Sequence, residues 1–253
     1  MSNQRQSPVQ PIRPAATIIV VREALESFEI FMLKRTSRAS FASGMYVFPG
    51  GRVDGDDHLH KYDAVRSGPT EAQAPQVAAL GDEWRGYWIA ALRETFEEAG
   101  LLLAYRDGSL LSFDDPATRD RFSAYRGPLH AGELSLLDIC DREKLKLAVD
   151  EVHFYNRFVT PLGRPRRFDT RFFIASAPEG QRPQHDAKET VDSVWITPGD
   201  ALERAAAKEF DLMNVTRMQL EWLAAYPSKA DVLAMARAQT EFLVRRPVLP
   251  PGA

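Results

Sequence analysis

A single α/β domain carrying insertions is the fold class this sequence predicts, and three observations predict it. The chain has 253 residues, inside the roughly 250 to 300 at which one hydrophobic core stops growing. Hydrophobic residues make up 44% and charged residues 26%, the composition of a globular protein, which excludes a solvated coil. Strand-like and helix-period segments interleave along the chain, with no internal repeat, low-complexity tract or convincing linker.

Residues 1–14 are polar and proline-rich and are expected to form a disordered tail, with the domain over 15–246 and a second tail over 247–253. From Ala15 the run Ala-Thr-Ile-Ile-Val-Val and then Phe28 to Leu33 read as two strands joined by the acidic turn Glu23 to Ser27. Tyr46 to Phe48 reads as a short strand that stops at Pro49-Gly50-Gly51. Arg52 to Gly81 has no clear period and contains Pro69 and Pro75, so a long surface loop is expected, with a short helix near Gln76 to Leu80. Asp82 to Ala99 reads as a helix, with Asp82 as a cap and Gly100 as the left-handed residue that ends it. Leu101 to Tyr105 reads as a strand, and Asp114 to Tyr125 and Glu133 to Val149 as helices. Phe154 to Thr160, Phe168 to Ala175 and Val191 to Ile196 read as strands; helices are expected from Thr197-Pro198 to about Ala207, over Val215 to Ala225, and over Ala230 to Arg245.

The net charge of -3 offers no global attraction for a nucleic-acid backbone, so any polyanion site has to be local. No window approaches the roughly 18 apolar residues of a membrane span, and the first residues lack the apolar core of an export signal. The lone Cys140 excludes an internal disulfide and a Cys-rich zinc site and fits a reducing cytoplasm. It reads as a small buried apolar residue. The His58-Leu59-His60 pair lacks further ligands at zinc spacing. Trp84, Tyr87 and Trp88 read as packing groups.

The chemistry concentrates in Arg93-Glu94-Thr95-Phe96-Glu97-Glu98-Ala99-Gly100-Leu101. With about 100° per helical residue, Glu98 lies about 40° and Glu97 about -60° from Glu94, while Trp88, Leu92, Phe96 and Ala99 cluster on the other side. Three carboxylates so close repel one another, and Arg93, which reaches Glu97 at four residues' separation, cannot neutralise them all. An oxygen-only donor set selects a hard ion such as Mg²⁺ or Mn²⁺. The bland alternative is a solvated acidic helix face. Upstream, Phe48-Pro49-Gly50-Gly51 ends a strand in paired glycines that let backbone approach an ion or a phosphate.

Together these segments resemble the Nudix box, G-x5-E-x7-R-E-U-x-E-E-x-G-U, with U a bulky apolar residue. Gly51, Arg93, Glu94, Glu97, Glu98, Gly100 and Leu101 match it. Three positions depart: Asp57 stands for the first Glu, Thr95 fills an apolar slot, and Arg93 comes 28 residues later than in the uninterrupted pattern. A box divided in this way resembles the Nudix subgroup that contains a peroxisomal acyl-coenzyme A diphosphatase, as do Arg157 to Pro161 and Arg166 to Phe173. The resemblance implies an α/β/α sandwich with a mixed sheet, an insertion at about 58–81 and a helical insertion at about 114–149.

The resemblance also implies metal-dependent hydrolysis of a nucleoside-diphosphate-linked small molecule, with Mg²⁺ or Mn²⁺ held by Glu94, Glu97, Glu98 and a carbonyl of Gly50 or Gly51. Arg93 would orient Glu97, and Glu94 or Glu189 would act as base. Asp57 reads as a cap or loop residue. Arg164, Arg166, Arg167 and Arg171 form a basic run able to hold extra phosphates of coenzyme A, unless Asp169 pairs with them. Gly44-x3-Phe48-Pro49-Gly50-Gly51 fits a separate Nudix coenzyme A pattern, whereas the arginine spacing from Arg35, a further substrate-binding candidate, does not. ADP-ribose, NADH, nucleotide sugars and capped RNA stay open as substrates, as does a non-catalytic nucleotide or RNA sensor, which the retention of all three glutamates disfavours. Nudix proteins often dimerise, so a homodimer is a further expectation. The 28-residue insertion is expected to lie over the pocket as a lid.

Overall fold

The computed structural model describes residues 10–39, 41–186 and 188–248. The first four strands are β1 (Ile12–Glu23), β2 (Phe28–Arg35), β3 (Tyr46–Val47) and β4 (Gly50–Arg52). Strand β5 (Arg66–Ser67) and helix α1 (Ala74–Leu80) precede the long helix α2 (Trp84–Ala99), after which come β6 (Ala104–Arg106) and β7 (Ser109–Leu110). The second half runs through α3 (Pro116–His130), α4 (Leu136–Glu143), β8 (Lys146–Ala148), β9 (Val152–Val159), β10 (Arg167–Ser176) and β11 (Thr190–Ile196). It closes with α5 (Pro198–Ala206), α6 (Asn214–Leu223), α7 (Lys229–Ala238) and β12 (Leu243–Arg245).

The main sheet has the order β11-β2-β1-β10-β9-β12, with β3 beside β2 and β4 beside β1. It is mixed, because β1 runs parallel to β10 but antiparallel to β2 and β4. Alternation along β1 sends its side chains to two cores, as the period of two requires. Ala16, Ile18 and Val20 pack with Trp88, Leu92 and Phe96 of α2. Ile19 and Val21 pack with Ala201, Leu220 and Val232 of the C-terminal helices. The result is the α/β/α sandwich that the sequence implied, and its apolar α2 face is fully buried: Trp88, Leu92, Phe96 and Ala99 are all at 0% exposure.

Tertiary partners redraw several local expectations. Ile12 to Pro14 were assigned to the tail, yet β1 begins at Ile12 because β10 pairs with it from Arg167 onward; residues 1–9 and 249–253 lie outside the described residues. The helix expected over Glu133 to Val149 ends at Glu143, and Lys146 to Ala148 become a strand because Leu147 and Ala148 donate to the carbonyls of Val65 and Leu103. Likewise α7 stops at Ala238, and Leu243 to Arg245 join the sheet beside β9. Of the strand expected over Leu101 to Tyr105, only Ala104 onward pairs. Asp82 does not cap α2; the helix starts behind Glu83 without a side-chain cap, its entry set by the turn from Trp84 N–H to the Gly81 carbonyl.

The insertion after Asp57 is folded and fastened down. Its Tyr62, Gln73 and Gln76 are at most 2% exposed. Gln73 Nε2 donates to the carbonyls of Val149 and Val152 at 2.9 and 3.0 Å, and Gln76 accepts from Phe154 N–H at 2.6 Å. Strand β5 pairs with β8 in a second sheet, β5-β8-β6-β7. Buried amides matched this closely make the segment a buttress for α2 and β9, which does not agree with a mobile lid. Tyr62→Ala is therefore expected to lower unfolding free energy by about 3 to 5 kcal/mol in urea titration; a wild-type midpoint would mean that the insertion is a loose flap.

Candidate active site

The site forms where α2 faces the paired glycines of β4. Thr17 and Ala16 of β1 pair with Gly50 and Gly51, which lays β4 against the helix. A Cβ on Gly51 would fall inside the Glu94 carboxylate, and one on Gly50 would strike the Ala16 carbonyl and Thr17. Both positions need glycine because of this close approach. Gly50 N–H donates to Glu98 Oε2 at 2.9 Å and so ties strand to helix.

Arg93 organises the acids. Its Nε and Nη2 donate to the two carboxylate oxygens of Asp57 at 3.0 and 2.9 Å. Nη1 donates to Glu94 Oε1 and to Glu97 Oε1, both at 3.0 Å, and Nη2 also reaches the Arg52 carbonyl at 2.9 Å. Burial works against the guanidinium's charge, but the Asp57 hydrogen bonds and the surrounding carboxylates outweigh it and raise its pKa. The reach from Arg93 to Glu97 is as the helical spacing predicts. Asp57, expected only as a cap or loop residue, does cap its short 3-10 helix Gly55–His58, and at 1% exposure it is also the main partner of Arg93. Thr95 tolerates its apolar slot by donating its hydroxyl to the Ala91 carbonyl at 2.8 Å.

The acidic face is not solvated: Glu97 and Glu98 are 7% and 5% exposed. Burial pushes the Glu94 carboxyl up to about 7, with Arg93 opposing and Glu97 adding to the rise. Burial, reinforced by the charge of Glu94, also holds Glu98 well above the ordinary carboxylate range. Arg35 approaches from β2: Nη2 donates to Glu189 Oε2 at 3.1 Å, Nη1 lies 3.9 Å from Glu98 Oε1, and the buried Nε has no partner. Glu189 is delivered by the pairing of Thr190 with Arg35 and by Thr36 N–H donating to the Glu189 carbonyl. Arg35, Gly50, Gly51, Arg93, Glu94, Glu97, Glu98 and Glu189 therefore come together.

The basic run does not join this cluster as free phosphate ligands. Asp169 accepts from Arg157 at 2.7 and 2.5 Å and lies 2.9 Å from Arg171, whose guanidinium stacks 4.0 Å over Tyr87. Arg167 donates to the carbonyls of Thr160 and Gln10, while Arg164 and Arg166 are exposed before β10. The pairing with Asp169 weighed in the sequence is what the fold builds, because alternation puts Asp169 and Arg171 on one face of β10 beside Arg157 of β9. His58 packs over Gly86 and His60 pairs with Asp63, so the histidines do not converge. Cys140 is buried, and burial pushes its thiol up to about 12.

Sequence reasoning missed a cleft of about 270 Å³ beside Glu97, lined by Arg126 and His130 of α3 and by Gln184, His185 and Lys188. His130 Nδ1 lies 3.5 Å from Glu97 Oε2. The period of α3 was legible, but nothing in it signals that the helix docks at the end of α2.

No three His, Cys, Asp or Glu side chains among the described residues stand as a ready metal cage. The donor chemistry nevertheless fits a hard divalent ion. Glu94 and Glu98 are carboxylates whose burial makes their charged forms costly, and the acids and the β4 carbonyls beside them offer oxygens.

A sandwich with an acid-bearing helix facing paired glycines defines a Nudix-type site. The family described as the NUDT19 Nudix domain matches residues 69–217, and the chain belongs to this Nudix family. Gly50, Gly51 and Asp57 lie before the matched span. Among similar proteins, the acyl-coenzyme A diphosphatase NUDT19 of Gallus gallus is 29% identical over 81% of this chain and 63% of its own length. That of Homo sapiens is 25% identical over 82% of this chain and 63% of its own length, so the chain spans less than two thirds of these relatives. The crystal structure of a NUDIX hydrolase from Alicyclobacillus acidocaldarius shares 26% identity with a TM-score of 0.69, covering 88% of this chain and 96% of that one.

Asp57→Ala strands a buried guanidinium, so it is expected to cost about 3 kcal/mol of stability, read from chemical denaturation. An unshifted midpoint would show that Glu94 and Glu97 suffice for Arg93.

Proposed function

We propose that the chain is a Nudix pyrophosphohydrolase that, with Mg²⁺ or Mn²⁺, cleaves the diphosphate bond of coenzyme A or its acyl esters. The observation that carries this reading is the convergence of Glu94, Glu97 and Glu98 around Arg93 and the β4 glycines. The substrate class is supported by the relatives named acyl-coenzyme A diphosphatase. The lone buried thiol of Cys140 supports a reducing compartment such as the cytoplasm.

Glu94, Glu97 and Glu98, with a carbonyl of Gly50 or Gly51, would hold the metal. Bound there, a divalent ion supplies positive charge to the diphosphate oxygens and acidifies a water. Arg93 holds Glu94 and Glu97 in one plane of charge, so neither swings away when substrate enters. Glu94 or Glu189 accepts the proton of the attacking water. The water oxygen bonds to one phosphorus while the bridging P–O bond breaks, giving phosphopantetheine and adenosine 3′,5′-bisphosphate. Arg35, between Glu98 and Glu189, would bring a positive charge to the phosphate.

A phosphate-release assay over diphosphate substrates tests this. EDTA should abolish turnover and Mg²⁺ restore it, with coenzyme A exceeding ADP-ribose and NADH in kcat/KM; the reverse order would move the assignment to another diphosphate. Glu98→Gln should cut kcat at least about 100-fold at a nearly unchanged melting temperature, since an amide imitates the protonated acid. Gly51→Ala should likewise spare the fold but lower kcat about tenfold or more, because the displaced group is the flexible Glu94 carboxylate. Wild-type kcat in either variant would remove that carboxylate from the mechanism.

A further inference from the structure

The cleft beside Glu97 has a charge pattern that diphosphate cleavage itself does not use. At its floor, Arg126 Nη2 donates to the carbonyls of Glu97, Glu98 and Gln184 at 2.9, 3.1 and 2.8 Å, and Nε donates to Glu97 O at 3.2 Å. Its Nη1 occupies the space left open by Gly100. Carbonyls hold the guanidinium in place but do not neutralise it, and among the described residues neither Arg126 nor Lys188 forms an ion pair.

The acids that face the cleft are already engaged. Asp186 accepts from the backbone N–H groups of Lys188, Glu189 and Thr190 and from the Thr190 hydroxyl at 2.7 Å. Glu97 is taken up by Arg93 and lies against His130. What remains on the walls is a fixed guanidinium, an ammonium and the imidazoles of His130 and His185. Burial lowers the Arg126 pKa while Asp186 attracts Arg126 only from beyond ion-pair distance, so a half-buried cation with no ion pair among the described residues favours a closer anion.

We propose that this cleft, between α3 and the residues Gln184, His185 and Lys188, is a phosphomonoester subsite that receives a second phosphate of the substrate, distinct from the diphosphate that is cleaved. The position fits, since Glu97 lines the cleft and also belongs to the cluster around Arg93. The subsite takes up a role that the sequence had given to the run Arg164 to Arg171, of which Arg171 is paired with Asp169. Arg126 then acts twice: it anchors the carbonyl end of α2, and it presents charge to the ligand.

This inference rests on the proposed substrate class, and binding separates the two. Titration calorimetry on the full chain compares adenosine 3′,5′-bisphosphate with adenosine 5′-monophosphate. The wild type should prefer the bisphosphate by about tenfold or more, and Lys188→Ala, at an exposed position that cannot unfold the core, should bring the ratio close to one. Arg126→Lys should lower the ratio less, because an ammonium keeps charge but not the fork. Inorganic phosphate should compete with the bisphosphate only weakly if the subsite needs a tethered phosphate; equal competition, no preference in the wild type, or loss of the preference in Arg164→Ala instead would overturn the subsite. Turnover of coenzyme A and its 3′-dephospho form supplies the second arm. If both are hydrolysed equally and no binding preference exists, the subsite fails and the activity stands. Were neither hydrolysed, the substrate class would fail, and the calorimetric ratio would still decide the subsite.

Discussion

The fork of Arg93 is the interaction on which the rest depends. A guanidinium at the end of a buried helix is tolerable only if its nitrogens are met, and here they meet Asp57, Glu94, Glu97 and the Arg52 carbonyl. In return, it permits two glutamates of one helical turn to sit together without flying apart. Because Arg93 is held by Asp57 on one side and by β4 on the other, the chain can leave after Asp57 and come back at α2 without displacing the acids. That is why a long insertion is compatible with an intact site.

The two insertions carry different loads. The segment that follows Asp57 works from behind: Tyr62 is buried near Leu137 and Cys140 of α4, and Gln73 and Gln76 hydrogen-bond the backbone of Val149, Val152, Phe154 and Ala236. Its half-buried Arg66 and the half-buried Arg85 of α2 flank Trp84 and share Asp63, which seals the outer edge. The second insertion works from the front. Helix α3 brings Arg126 to the carbonyl end of α2, where a cation meets the negative end of the helix dipole, and it supplies one wall of the cleft.

Charge is distributed by the same logic. Around the acids, burial first and the neighbouring carboxylates second raise the Glu94 and Glu98 pKa values, and a cation would relieve both. One layer away, Asp169 balances Arg157 and Arg171, and Tyr87 covers the latter. One arginine of the basic run, Arg171, thus enters a closed cluster with Asp169 and Arg157, while Arg126 of α3 keeps its charge facing a cleft.

The sequence by itself determined the catalytic helix and its neighbours. The greasy and acidic faces of α2, the left-handed Gly100, the alternation of β1 and the paired glycines follow from periods and conformational freedom that a few adjacent residues encode. Glu189 was also legible as a candidate from its place just before a strand, and Arg35 only by comparison with a coenzyme A pattern whose arginine spacing it does not fit. Tertiary structure decided everything whose partner lies far along the chain: that Lys146 to Ala148 pair as a strand, that Asp57 rather than water meets Arg93, that Asp169 closes the arginine run, and that α3 docks beside Glu97. Local propensity specifies how a segment curls, but which buried charge or backbone group it must satisfy depends on neighbours brought together only by folding.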